Sequence, residues 1–264
     1  MEETIMALTL RQICLVASEL RPVIEDLITV LGLEVCYVDP HVEVFGVENF
    51  LMPVGTNFIE VVAPIKENTA AGRYLARRGG NGGYMIITQT GSAEEQKACR
   101  VRAEEMGIRV AWEFSLEAGH YMQLHPADTG GCFFEIDWHE TNQHQGDWPP
   151  AGGNNWKPYI KTKVVSAIKA AELQSKDPEA MAKRWSSIAD IPLQTDATGR
   201  LEMRLSNASI RFIEETDGRG EGLGGIDIEA ADPQKLLQAA EHRGMKVSDT
   251  QVMICGVRFN LIDL

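Results

Sequence analysis

The residue types best suited to chemistry cluster in GGCFFEIDW, residues 130–138. Read with the two-residue period of a β-strand, Phe134, Ile136 and Trp138 fall on one face, and Phe133, Glu135 and Asp137 on the other. Inward carboxylates are costly unless they are used or hydrogen-bonded, so Glu135 and Asp137 are candidates for a substrate or metal site. His139 shares their parity but stands at the strand end, where exposure is expected. His120 and His125 are five residues apart and point to opposite faces of a straight strand. One of them could bring an imidazole to the site; His125, just before Pro126, also suits a turn. In GRYLARR, Arg73, Arg77 and Arg78 could meet a substrate carboxylate or phosphate, or form a solvated helix face. GGNGG, residues 79–83, has no Lys-Ser or Lys-Thr after it and opens no helix, so it reads as a flexible entry to the next strand and not as a phosphate loop. His41 and His242 read as surface residues.

These groups need a scaffold, and 264 residues are enough for one large domain or two smaller ones with real cores. Hydrophobic residues make up 44% and charged residues 24%, the balance of a soluble globular chain. The N-terminal MEETIMALTLRQ is acidic where a signal peptide would be basic, and no apolar run approaches the ~20 residues of a membrane helix. A cytoplasmic location without membrane association is therefore expected. The five cysteines are scattered and form no CxxC, which fits reduced core thiols. A net charge of −13 disfavours nucleic acid as a partner; a small-molecule substrate and a possible homodimer are the partners expected.

Along the chain, LRQICLVA reads as a strand, ELRPVIEDLITVLG as a helix, and LEVCYV, ENFLMPV and TNFIEVVAP as strands. YMIITQT, the helix SAEEQKACRVRAEEMG, IRVAWEF, HYMQLH and GCFFEIDW repeat that order. After TNQHQGDWPPAGGNNWKP (141–158), rich in Gly, Pro and Asn and read as a linker, the pattern returns. KVVSAIKAAEL and KDPEAMAKRWSSI are followed by LEMRLS and ASIRFIEE; GGIDIEA and DPQKLLQAAEHRG are followed by MKVSDTQ and GVRFNLIDL. Short echoes such as NFIE with RFIE support four copies of one βαβββ unit. The expected fold class is α+β, with four βαβββ modules paired into two curved-sheet domains, 1–140 and 159–264. Proteolysis is expected to begin between them.

This order, with HPADTGGCFFEIDW as a closing motif, resembles the vicinal oxygen chelate superfamily of glyoxalase I, methylmalonyl-CoA epimerase, extradiol dioxygenases and bleomycin-resistance proteins. The resemblance implies a divalent metal (Mg, Mn, Ni or Zn) held by residues from the first and last strands of paired modules. Carried over, it implies Gln12, Glu60 and Glu135 as ligands. The fourth ligand falls at Gly83, Tyr84 or Met85, or is a recruited histidine. The corresponding second-half positions, Val165, Glu214, Gly225 and Asn260, make a degenerate set. Alternation agrees with the carry-over: Gln12 shares a strand face with Cys14 and Val16, and Glu60 with Phe58 and Val62.

The resemblance implies a lyase or isomerase acting on a small oxygenated substrate through an enediolate, with Glu60 or Glu135 as catalytic base. Asp137, His120, His125 and Arg73 would contact substrate. The alternative is a metal-free binding protein of the resistance type. An extradiol dioxygenase ranks lower, because two histidines and a carboxylate around iron are not supplied.

Overall fold

The structure is a computed structural model that describes residues 8–262; the start of MEETIMALTLRQ and the last two residues of GVRFNLIDL lie outside the described residues. In the first part of the chain, β1 (Thr9–Val16) and α1 (Leu20–Leu31) lead to β2 (Val47–Val54), β3 (Asn57–Pro64) and α2 (Ala70–Arg78). Then come β4 (Gly82–Gln89), α3 (Ala93–Glu105), β5 (Val110–Leu116), β6 (Gly119–Leu124), the single turn α4 (Pro126–Thr129) and β7 (Phe133–His139). The second part holds β8 (Val165–Ser175), α5 (Pro178–Ala189), β9 (Leu193–Thr195), β10 (Leu201–Arg204) and β11 (Ser209–Glu214). It closes with β12 (Gly222–Ala230), α6 (Pro233–His242), β13 (Lys246–Ser248), β14 (Gln251–Ile254) and β15 (Val257–Ile262).

The α+β class expected from the sequence is present, with the strands in two many-stranded sheets. Seven strands run in the order β2-β3-β1-β4-β7-β6-β5 and eight in the order β13-β14-β15-β12-β8-β11-β10-β9. The chain also divides into two compact units. The first unit takes the stretch ending at Arg11, Tyr84–His144 and Ala171–Leu223; the second takes Gln12–Gly83, Gln145–Ala170 and Gly224–Leu264.

Two local differences from the expected elements have physical causes. LEVCYV is not a strand: one bridge joins Tyr37 to Leu51, after which the Asp39 carboxylate caps a 3-10 helix, Pro40–Phe45. Proline fixes the backbone dihedral that a helical first turn requires and removes the N–H a strand would donate. MKVSDTQ splits into β13 and the start of β14, because the Ser248 hydroxyl accepts from the Thr250 N–H and turns the chain there. Helix α2 carries GRYLARR, for which the sequence offered a helix face, and the Thr69 hydroxyl caps it, accepting from the Gly72 N–H at 3.0 Å.

In the first unit, β7 carries the segment of greatest interest. Its face with Phe134 and Ile136 is fully buried, and the Phe134 ring stacks on Trp185 of α5 with centroids 4.1 Å apart. The Trp185 indole N–H donates to the Thr129 carbonyl at 2.8 Å, fixing the turn that feeds β7. Gly131 in that turn has φ 81°, and a Cβ there would lie 2.2 Å from the Glu221 carbonyl oxygen. Only glycine meets both demands. In the second unit, the stretch expected to be a linker carries Trp148 and Trp156, both essentially without exposure, and the Trp156 ring meets Phe58 edge-on at 5.1 Å.

Candidate functional site

Gln12 and Glu60, expected as metal ligands, come together in the second unit. Parallel pairing of β1 with β3 sets Gln12 opposite Phe58 and Cys14 opposite Glu60, so both candidates lie on one face. The Gln12 side-chain N–H donates to Glu60 Oε2 at 2.7 Å, and the Asn49 side-chain N–H donates to Glu60 Oε1 at 2.6 Å. Both amide orientations are fixed by partners that can only donate. The Trp148 indole N–H points at Gln12 Oε1 from 3.0 Å, and the Asp39 backbone N–H points at Asn49 Oδ1 from 2.9 Å. Burial pushes the Glu60 carboxyl above the usual carboxylate range, against the hydrogen bonds from Asn49, Cys14 and Gln12.

This arrangement does not fit a resident divalent ion. Gln12 presents nitrogen, not oxygen, toward Glu60, so the amide oxygen and the carboxylate do not converge on one point. Among the described residues, no group of three or more His, Cys, Asp or Glu side chains could hold a metal. Titration calorimetry with Mn²⁺ checks this: Gln12→Ala and Glu60→Ala are expected to leave the isotherm unchanged. A tenfold or greater loss of affinity in either would restore the metal site.

Glu135 and Asp137 lie in the first unit. Their face of β7 is met by Ile87 and Gln89 of β4, which pair with Glu135 and Asp137, and by Gln123 of β6, which pairs with Glu135. The Gln123 side-chain N–H donates to Glu135 Oε2 at 2.8 Å. Asp137 is fully buried; no well-formed hydrogen bond reaches either carboxylate oxygen among the described residues, and the nearby Met122 backbone N–H only opposes the rise of its pKa. Burial, then the charge of Glu135 and contact with its carboxyl, raise the Asp137 carboxyl well above the usual range. A carboxylate facing a carboxylate lacks a donor until a proton enters. One proton shared by the two supplies the missing hydrogen bond and removes the repulsion.

Cationic and neutral groups frame the pair. Arg11 is fully buried, donates to the Gln89 side-chain oxygen and to the Gln143 carbonyl at 2.8 Å, and its charge opposes the rise at Asp137. Burial and then Arg11 hold the His139 imidazole down at about 4, so it is neutral at ordinary pH. The exposure expected for His139 at its strand end is not found; it is buried, its ring edge-on to Tyr121 at 5.0 Å.

Most of the other sequence candidates have surroundings of their own. His120 pairs with Trp138 and stacks on its ring at 5.4 Å, which puts it on the opposite sheet face from Glu135. His125 caps α4, accepting from the Ala127 N–H at 3.1 Å, the turn role that its place before Pro126 suits. Arg73 donates to the carbonyl of Asn68 on the surface of the second unit. Of the possible fourth ligands, Met85 pairs with Phe133 on the Glu135 face, while the residue opposite Glu135 is the apolar Ile87. Asn260 is engaged with Asp227 and Gln251, each at 2.8 Å, and Glu214 is exposed. A cleft of about 440 Å³ is lined by Glu172, Leu201, Phe212 and Glu214, with Glu172 held in a buried ion pair by Arg211 at 2.7 Å.

Sequence reasoning missed Arg11, Gln89, Gln123, Asn49 and Trp148. Gln123 and Gln89 become visible only through strand register, which no local pattern prints. Trp148 carried a signal, a large indole in a polar segment.

The chain matches the glyoxalase-like domain family over residues 13–189, and it belongs to that family. Several solved structures align with the chain. A mutant of 4-hydroxymandelate synthase from Streptomyces coelicolor aligns at 13% identity over 91% of this chain and 76% of that one, with a TM-score of 0.64. A hypothetical protein from Staphylococcus aureus aligns at 14% identity over 96% and 98%, with a TM-score of 0.63. A methylmalonyl-CoA epimerase from Mycobacterium tuberculosis aligns at 22% identity over 53% and 93%, with a TM-score of 0.43. Comparison with curated proteins gives no significant match. Among the described residues, no helix is long and apolar enough to cross a membrane.

Proposed function

We propose that this protein is a metal-independent acid–base enzyme that moves a proton on the carbon beside a carbonyl group of a small molecule. The carrying observation is the buried Glu135–Asp137 pair, in which Asp137 has no cationic or side-chain donor on either oxygen and faces a second carboxyl. Glu135 retains 6% exposure while Asp137 has none, so Glu135 is the group that meets substrate. Its carboxylate takes the proton as the C–H bond breaks, and the electron pair passes into an enolate. The same proton, or one exchanged with solvent, returns to carbon to complete an isomerisation or racemisation. Asp137 acts through Glu135 as a positioning residue, its proton hydrogen-bonded to the base, and Gln123 fixes the carboxylate from the other side.

Gln12 and Glu60 do not converge on a cation, which weighs against the metal-assisted route that the resemblance implied. The test is exchange of α-hydrogen for deuterium in ketones such as 2-tetralone, followed by proton NMR in D₂O with and without a chelator. Exchange above the buffer rate that survives chelation is expected. Exchange abolished by the chelator and restored by a divalent ion would return the metal to the reaction. No exchange with any ketone, despite binding, would favour the sequestering alternative.

A further inference from the structure

One feature of the first unit is unused by proton transfer alone: a row of aromatic rings at the sheet edge. The terminal strand β5 pairs with β6 so that Trp112 lies opposite Gln123, Phe114 opposite Tyr121, and Leu116 opposite Gly119. Directly paired residues share a face, and Gln123 in turn pairs with Glu135. Trp112, Phe114 and Tyr121 therefore lie on the sheet face that carries the two carboxyls. On the opposite face, Glu113 meets Arg100 of α3, so the helix covers that side and leaves the aromatic side uncovered by it.

The rings form a continuous path. Trp112 and Phe114 stack with centroids 6.0 Å apart, Phe114 and Tyr121 are 6.4 Å apart, and Tyr121 and His139 are 5.0 Å apart. Phe114 is 47% exposed, Trp112 and Tyr121 are half-buried, and His139 is buried. Strands are spaced ~4.8 Å, so a ring seated over Phe114 and Tyr121 places an attached carbonyl about one strand further in, over β7.

We propose that Trp112, Phe114 and Tyr121 form the platform on which a flat aromatic ring of the substrate stacks, making the substrate class an aryl or ring-fused carbonyl compound. This rests on the proton-transfer reading for the position of the carbonyl. An exposed edge strand could instead meet a second copy of the chain. The row, however, turns from Phe114 of β5 onto Tyr121 of β6 and on to His139 of β7, toward the carboxyls, which favours a small ligand. Aromatic faces attract one another in offset or edge-on geometry beyond the area they bury, so a saturated ring of equal size should gain less.

The experiment compares 2-tetralone with its saturated counterpart 2-decalone by ligand-observed NMR titration and by deuterium exchange. Phe114 is half exposed, so Phe114→Ala and Phe114→Leu should fold. Both are expected to weaken 2-tetralone about five- to tenfold, and to change 2-decalone less than twofold. The exchange KM for 2-tetralone should rise in parallel while kcat stays within twofold. The proposal is overturned if 2-tetralone does not bind the wild type, or if both variants bind it within twofold of wild type. It is also overturned if they only convert a dimer to a monomer in sedimentation. Platform-dependent binding without exchange in any protein would sink the proton-transfer reading and keep the platform. Exchange unaffected by Phe114 would do the reverse.

Discussion

Glu135→Gln is expected to lower α-hydrogen exchange by about 10²- to 10⁴-fold, the usual contribution of a positioned general base, while 2-tetralone still binds. Glutamine keeps the shape and can still accept from Gln123, so the loss would report the missing base and not a collapsed site. Asp137→Asn is expected to act differently. The asparagine amide can donate permanently to Glu135, where aspartic acid donates only while protonated. Exchange should fall less than tenfold, and its alkaline limb, set in the wild type by loss of the shared proton, should disappear.

The same substitution has a stability signature of definite sign. Asp137 holds its proton more tightly in the folded chain than in the unfolded one, because burial and then the Glu135 charge penalise its ionised form. Its contribution to stability is complete below the ordinary aspartate value and is lost as pH rises through the raised folded value. Asp137→Asn removes that loss. Its Tm should exceed wild type at pH 9 and converge with it toward pH 4, each kcal/mol being worth about 2–4 °C in a chain of this size. A Tm difference that is flat from pH 4 to pH 9 would mean that no proton is shared between the carboxyls.

The range of each interaction decides whether the sequence discloses it. Alternation is local, so the placing of Glu135 and Asp137 together, away from Phe134 and Ile136, was legible in nine residues. So was the agreement of Gln12 with Cys14, and of Glu60 with Phe58. Register is not local. The partners that decide what each carboxyl can do, Gln123 for Glu135 and Asn49 for Glu60, come from neighbouring strands. Amide orientation is less local still: Gln12 turns its nitrogen to Glu60 because an indole 136 residues away occupies its oxygen. A carry-over of ligands by strand position could not register that fact. In the segment 141–158, composition gave Gly, Pro and Asn more weight than two tryptophans, both of which are buried.

Trp156→Ala should therefore be among the most destabilising single changes in the molecule. Trp156 is 1% exposed and packs edge-on against Phe58, on the strand face that also carries Glu60. Removing a buried indole leaves a cavity that the surrounding sheet cannot close, at a cost of about 3–5 kcal/mol. That corresponds to a Tm lower by roughly 10 °C. Trp156→Phe should cost far less, because the indole N–H is buried without a hydrogen-bond partner among the described residues and its loss removes an unmet donor. Limited proteolysis supplies a second readout. In the wild type the buried Trp148 and Trp156 should hold residues 141–158 against cleavage, and in Trp156→Ala that stretch should become the first site cut. Early cleavage there in the wild type, with Trp156→Ala costing under about 1 kcal/mol, would show that the segment is the simple linker its composition suggests.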